Sequence, residues 1–133
     1  MRTWLLIMMW LTAADAFAAA EGSWQASGGG ASLSFRGTGA SSPALNPPGG
    51  TAGKVTLVAW RYRLNGPPPA GLEVKLCSGH ARCIPLNAAS GTTAGLNGLD
   101  AGQPMRFVWS VPGGGKLWPV LRVTSNQVIV NYR

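Results

Sequence analysis

Acidic side chains are scarce in this sequence: 133 residues carry four Asp and Glu against eleven Lys and Arg. Histidine occurs once and cysteine twice. These shortages exclude much chemistry. General acid–base catalysis draws mostly on His or on a carboxylate of shifted pKa. Here His80 stands alone, and Glu21, Glu73 and Asp100 fall on separate segments beyond the N-terminal region. Glycoside hydrolysis needs two carboxylates facing one bond, and no pairing pattern provides them. A structural zinc needs four ligands; Cys77, Cys83 and His80 supply three at most. Neither a catalytic centre nor a cofactor or metal site is expected, and no small-molecule ligand is implied.

A long apolar run is missing too. Trp4 to Leu11 is uninterruptedly apolar, but a spanning helix needs about 20 such residues. Arg2 lies before this run, and Ala16-Phe17-Ala18 and Ala18-Ala19-Ala20 follow it as small-residue cleavage sites. That is the order of a secretory signal peptide. Residues 1–20 are read as that signal and 21–133 as one mature domain in the periplasm, not membrane-spanning. Losing Arg2 and Asp15 together leaves the net charge at +7. A basic surface of this kind favours acidic partners, and export argues against nucleic acid as one of them.

Helix-forming stretches are absent after residue 20, because the 19 Gly and 10 Pro break every candidate. Two-residue alternation replaces them, the mark of strands with one buried face. Leu33 and Phe35 alternate with Ser32, Ser34 and Arg36. Val58, Trp60, Tyr62 and Leu64 share one phase, Arg61 and Arg63 the other. Leu72, Val74 and Leu76 alternate with Glu73 and Lys75, and Ile84 to Leu86 reads as a short return strand. Met105, Phe107, Trp109 and Val111 form a third clear set. Leu121 and Val123 precede an expected tight reversal at Ser125-Asn126, after which Val128, Val130 and Tyr132 alternate again. Gly37 to Gly53 reads as a surface loop, Asn65 to Pro69 as a strand break, and Pro112 to Gly115 as a hairpin turn. About seven strands in this length predict an all-β domain, a single small β-sandwich, with a β-barrel as the alternative. The expected core is Val58, Trp60, Tyr62, Phe107, Trp109, Val111, Leu121, Val123, Val128 and Val130.

Cys77 and Cys83 bracket a short loop between two apolar strands. In an exported chain such a pair reads as a disulfide; a redox role would prefer Cys-x-x-Cys. The glycine triplets at 28–30 and 113–115 lack the Gly-Lys-Ser/Thr ending of a phosphate loop and read as turns. Arg36, Arg61, Arg63, Lys75, Arg106 and Arg122 all take the outward phase of their strands. Solubility explains outward placement, but not the shortage of acids to pair with them. Arg61, Arg63, Arg106 and Arg122 are therefore the candidate partner-binding residues. A competing possibility is a carbohydrate- or peptidoglycan-binding module that stacks sugars on Trp24 and Trp118.

Several segments resemble one family. Thr56-Leu57-Val58-Ala59-Trp60-Arg61-Tyr62 followed by Leu64-Asn65-Gly66-Pro67 is similar to the flagellar protein FlhE family. So are Ala70-Gly71-Leu72, Leu76-Cys77-Ser78, Ser90-Gly91-Thr92-Thr93 and Arg106-Phe107-Val108-Trp109. Val111-Pro112-Gly113-Gly114-Gly115 and the ending Ser125 to Arg133 complete the likeness. The resemblance implies a non-enzymatic periplasmic accessory protein of flagellar type III secretion, linked to limiting proton leakage through the export apparatus and to a chaperone-like role. It further implies flagellar export or basal-body proteins as partners, and it carries no catalytic residues.

Overall fold

A computed structural model describes residues 21–133. The signal peptide assigned to residues 1–20 lies outside the described residues. Nine strands fold into two antiparallel sheets, and no helix occurs among the described residues. The strands are β1 Gly22–Gly28, β2 Ala31–Phe35, β3 Gly39–Ser41, β4 Val55–Leu64 and β5 Glu73–Ser78. They continue with β6 Arg82–Leu86, β7 Ser90–Thr93, β8 Met105–Ser110 and β9 Lys116–Tyr132. The first sheet runs β1-β9-β4-β7, with β2 also paired to β9. The second runs β3-β8-β5-β6. The result is a sandwich rather than a closed barrel.

The two-residue alternation sets the packing. On β8, Met105, Phe107 and Trp109 are buried while Arg106, Val108 and Ser110 are partly exposed. All ten residues of the expected core are buried. Tyr62 of the first sheet meets Phe107 and Trp109 of the second edge-on, with ring centroids 6.1 and 5.8 Å away. Phe107 and Trp109 stack at 5.5 Å. This trio ties the sheets together with aromatic geometry that adds to simple area burial. Gly91 is part of the same design: a Cβ there would lie 2.8 Å from the Trp60 ring, so only glycine lets that indole lie across β7.

Four local expectations change. No reversal occurs at Ser125-Asn126; β9 runs through it for 17 residues. The break in apolar phase is a β-bulge, because the β4–β9 register shifts between Arg63 and Leu64. An extra residue on one strand flips the inside–outside order without turning the chain. Thr124 marks the spot by donating its hydroxyl to the Arg63 carbonyl, 3.2 Å away. Pro112 to Gly115 is not a hairpin either. It carries the chain from β8 in one sheet to β9 in the other. Phe35, expected inward, is half exposed, because the β2–β9 register shifts between Leu33 and Phe35. The 37–53 segment also contains β3 and a bridge from Leu45 to Met105, and Leu45 is buried.

Candidate functional site

Arg61 and Arg63 alternate on β4 with buried Trp60 and Tyr62, which fixes them on the outer face of the first sheet. Arg61 pairs in register with Gln127 and Arg63 with Ser125. One step further, the Asn65 N–H donates to the Arg122 carbonyl at 3.0 Å and the Arg122 N–H to Asn65 Oδ1 at 3.2 Å. Arg122 alternates with buried Leu121 and Val123, so it shares the outer face. Alternate positions on a strand lie about 7 Å apart. The three arginine side chains therefore leave the sheet in a row, and all three residues are exposed.

No acid faces this row among the described residues. Glu21 pairs with Arg133 at 3.1 Å, Glu73 lies on β5 of the other sheet, and Asp100 Oδ1 accepts the Gly102 N–H at 2.9 Å. Side chains beside the row are neutral, among them Ala59, Gln127 and Ile129. Arg106 does not join it. It lies on β8, on the outer face of the opposite sheet, where its register partner is Cys77. The four candidate cations thus divide into a row of three and one on the far side. Two-residue phase tells inside from outside but not which sheet a strand joins, so the sequence could not separate them.

Cys77 and Cys83 are bonded to each other as directly opposed residues of β5 and β6, Cα to Cα 4.0 Å. The loop they close is short, so its contribution is modest. Replacing both by Ser should lower stability by roughly 2 kcal/mol, measured by denaturant unfolding of oxidised wild type against the variant. Thiol titration of the non-reduced protein should find no free thiol. A disulfide of this kind belongs to oxidising compartments outside the cytoplasm. His80 sits exposed in the turn between the two strands. Among the described residues no group of three or more His, Cys, Asp and Glu gathers in one place. No helix among them is long and apolar enough to cross a membrane.

The proposed sugar platform is not assembled. Trp24 is buried, and its indole N–H donates to the Ala101 carbonyl at 3.0 Å. Trp118 is 85% exposed, as expected. The sequence reading missed a cleft of about 640 Å³ at the side of the sandwich, with Tyr62, Leu64, Leu72, Val74 and Leu86 in its wall. It forms where β7 stops short of covering the end of β4, a shortfall in strand length that leaves no motif. Burial pushes the Tyr62 phenol above its usual 10.0. Because the folded state holds this proton more tightly than the unfolded chain, stability should fall as pH rises through and beyond 10. Phenolate absorbance should show one tyrosine ionising late in the native protein, and Tyr62→Phe should remove that late step.

The described residues thus form a small two-sheet, disulfide-clasped β-sandwich with exposed arginines on one outer face. The family model described as flagellar protein FlhE matches residues 30–133. Flagellar protein FlhE of Salmonella typhimurium strain LT2 is 54% identical over 133 residues, covering 100% of both chains. Its namesake from Escherichia coli K12 is 50% identical over the same full span. A crystal structure of FlhE superposes with a TM-score of 0.82 at 58% identity, covering 86% of this chain and 98% of that one. The chain belongs to the flagellar protein FlhE family, which supports a flagellum-associated role.

Proposed function

We propose that this chain is a non-enzymatic accessory factor of flagellar type III secretion, exported by its signal peptide to the periplasm. There it binds an acidic surface of the export or basal structure, limits proton leakage through it, and acts in a chaperone-like way toward flagellar parts. The observation that carries the proposal is the row of Arg61, Arg63 and Arg122, exposed on rigid strands with no acid facing it among the described residues. Strands hold such a row without the ordering cost of a loop, and an unbalanced field speeds encounter with an opposite charge.

Binding through this row should weaken with salt, because the screening length is only about 8 Å at physiological ionic strength. The test is retention of the mature protein on purified flagellar basal bodies. Wild type should be retained at low salt and released as salt rises. The double variant Arg61→Glu, Arg63→Glu should be retained poorly at every salt concentration yet melt like wild type, since both side chains are solvated. A carbohydrate-binding role has less support, because one of its two tryptophans belongs to the core. Equal retention of the folded double variant would reject the arginine row as the contact.

A further inference from the structure

The N-terminal arm of β9 is paired on one side only. From Lys116 to Leu121 it runs beside β2. On its other side β4 leaves at Asn65 into the Pro67-Pro68-Pro69 loop, and no strand among the described residues pairs with Leu117 to Leu121 there. In place of a strand there is a cleft of about 440 Å³ between this arm and the loop. On the outer side of the arm lies a second hollow of about 360 Å³, bounded by Phe35, Trp118 and Val120. Trp118 borders both, 85% exposed, and Phe35 is half exposed. The charged side chains lining the two hollows are Arg36 and Lys116; neither hollow has an acid in its wall.

We infer that this open edge is a second docking site, which accepts an extended acidic segment of a partner protein as an added strand. Strand addition supplies main-chain hydrogen bonds from an unpaired edge and specificity from pockets for alternate side chains. Both parts are present: an arm, interrupted at the cis Trp118–Pro119 bond, that no strand covers on this side among the described residues, and two hollows bordered by the Trp118 indole. An exposed tryptophan sharing a cleft with an arginine, as Trp118 does with Arg36, is the composition of an interface anchor. Charge selects the occupant. Lys116 on the edge discourages pairing with a second basic edge, and two copies of a chain with net charge +7 repel each other. A segment alternating acidic and apolar residues satisfies the edge, the hollows and the cations together. The cleft adjoins the Arg122 end of the arginine row through Asn65 and Leu121, but neither Arg61 nor Arg63 is in its wall, so those two can be changed without touching it.

The probe is a synthetic peptide alternating Glu and Val, long enough to span the arm, titrated into the mature disulfide-bonded protein. It should bind, slow amide exchange within Leu117 to Leu121, and bind less well when Gln replaces Glu. Trp118→Ala should weaken it by about tenfold or more, the loss expected of an anchoring aromatic, with melting unchanged because the side chain is solvated. Lys116→Glu should also weaken it. Arg61→Glu, Arg63→Glu should leave it intact, which separates this site from the row. Absence of binding, binding indifferent to Trp118→Ala, or binding without protection of the arm's amides overturns the inference. Chitin oligosaccharides that bind at Trp118 where the peptide does not would overturn it in favour of a glycan site.

Discussion

Trp109→Ala should cost about 3–5 kcal/mol of folding stability, the range for a fully buried aromatic. Trp109 is 0% exposed near the C-terminal end of β8, stacked on Phe107 and meeting Tyr62 edge-on. Truncation would open a cavity at the point where the two sheets touch. The neighbours are themselves rings on rigid strands and cannot collapse to fill it, so the cost belongs at the upper end. Its indole N–H has no hydrogen-bond partner among the described residues, so Trp109→Phe gives up ring volume but no bond and should recover a large part of the loss. Urea unfolding of the three proteins checks the order wild type, Phe, Ala. A Trp109→Ala protein with the wild-type midpoint would mean that β8 is packed in the other phase.

Trp24→Ala should be nearly as damaging, again about 3–5 kcal/mol. Trp24 is buried where β1 pairs with β9, opposite Val130. Its indole N–H reaches the Ala101 carbonyl across 77 residues of sequence. The substitution removes the ring and also leaves that carbonyl unpaired, an added penalty of the kind that buried polar groups carry. Trp118→Ala, on a side chain 85% exposed, should change the melting temperature little. The two tryptophans look alike in sequence, and the contrast in thermal unfolding separates a core residue from a surface one. Equal, small effects would place Trp24 at the surface and restore it to a binding platform.

Trp24 is buried although nothing in the sequence around it marks a buried strand. Its neighbours Gln25, Ala26 and Ser27 alternate weakly, so β1 has no apolar stripe to announce it. Its burial comes from pairing with the C-terminal end of β9, a contact between the two ends of the domain. The stripes Val58 to Leu64, Val74 and Leu76, Met105 to Val111, Leu121 and Val123, and Val128 and Val130 were legible because every second residue in each is apolar. The short strands β3 and β7 are built from Gly, Ala, Ser and Thr, and their partners fix them. The bulge at Thr124 looked like a turn because both interrupt the alternation. At the candidate site, outward phase was readable for every arginine. Assignment to a sheet was not, because it follows from strand order, and that separated Arg106 from Arg61, Arg63 and Arg122. The Cys77–Cys83 bridge was readable because its partners lie in a single hairpin.

The central claim is that the Arg61, Arg63 and Arg122 row carries the protein's effect on the flagellar export structure. The most direct measurement is cytoplasmic pH under an external acid load, in cells that assemble flagella and carry the Arg61→Glu, Arg63→Glu, Arg122→Glu gene in place of the wild type. The account predicts a periplasmic protein present at normal level with its disulfide intact, together with a fall in cytoplasmic pH matching that of cells lacking the gene. Cells that hold their pH as wild type does, with the folded triple variant as the only copy, would contradict it.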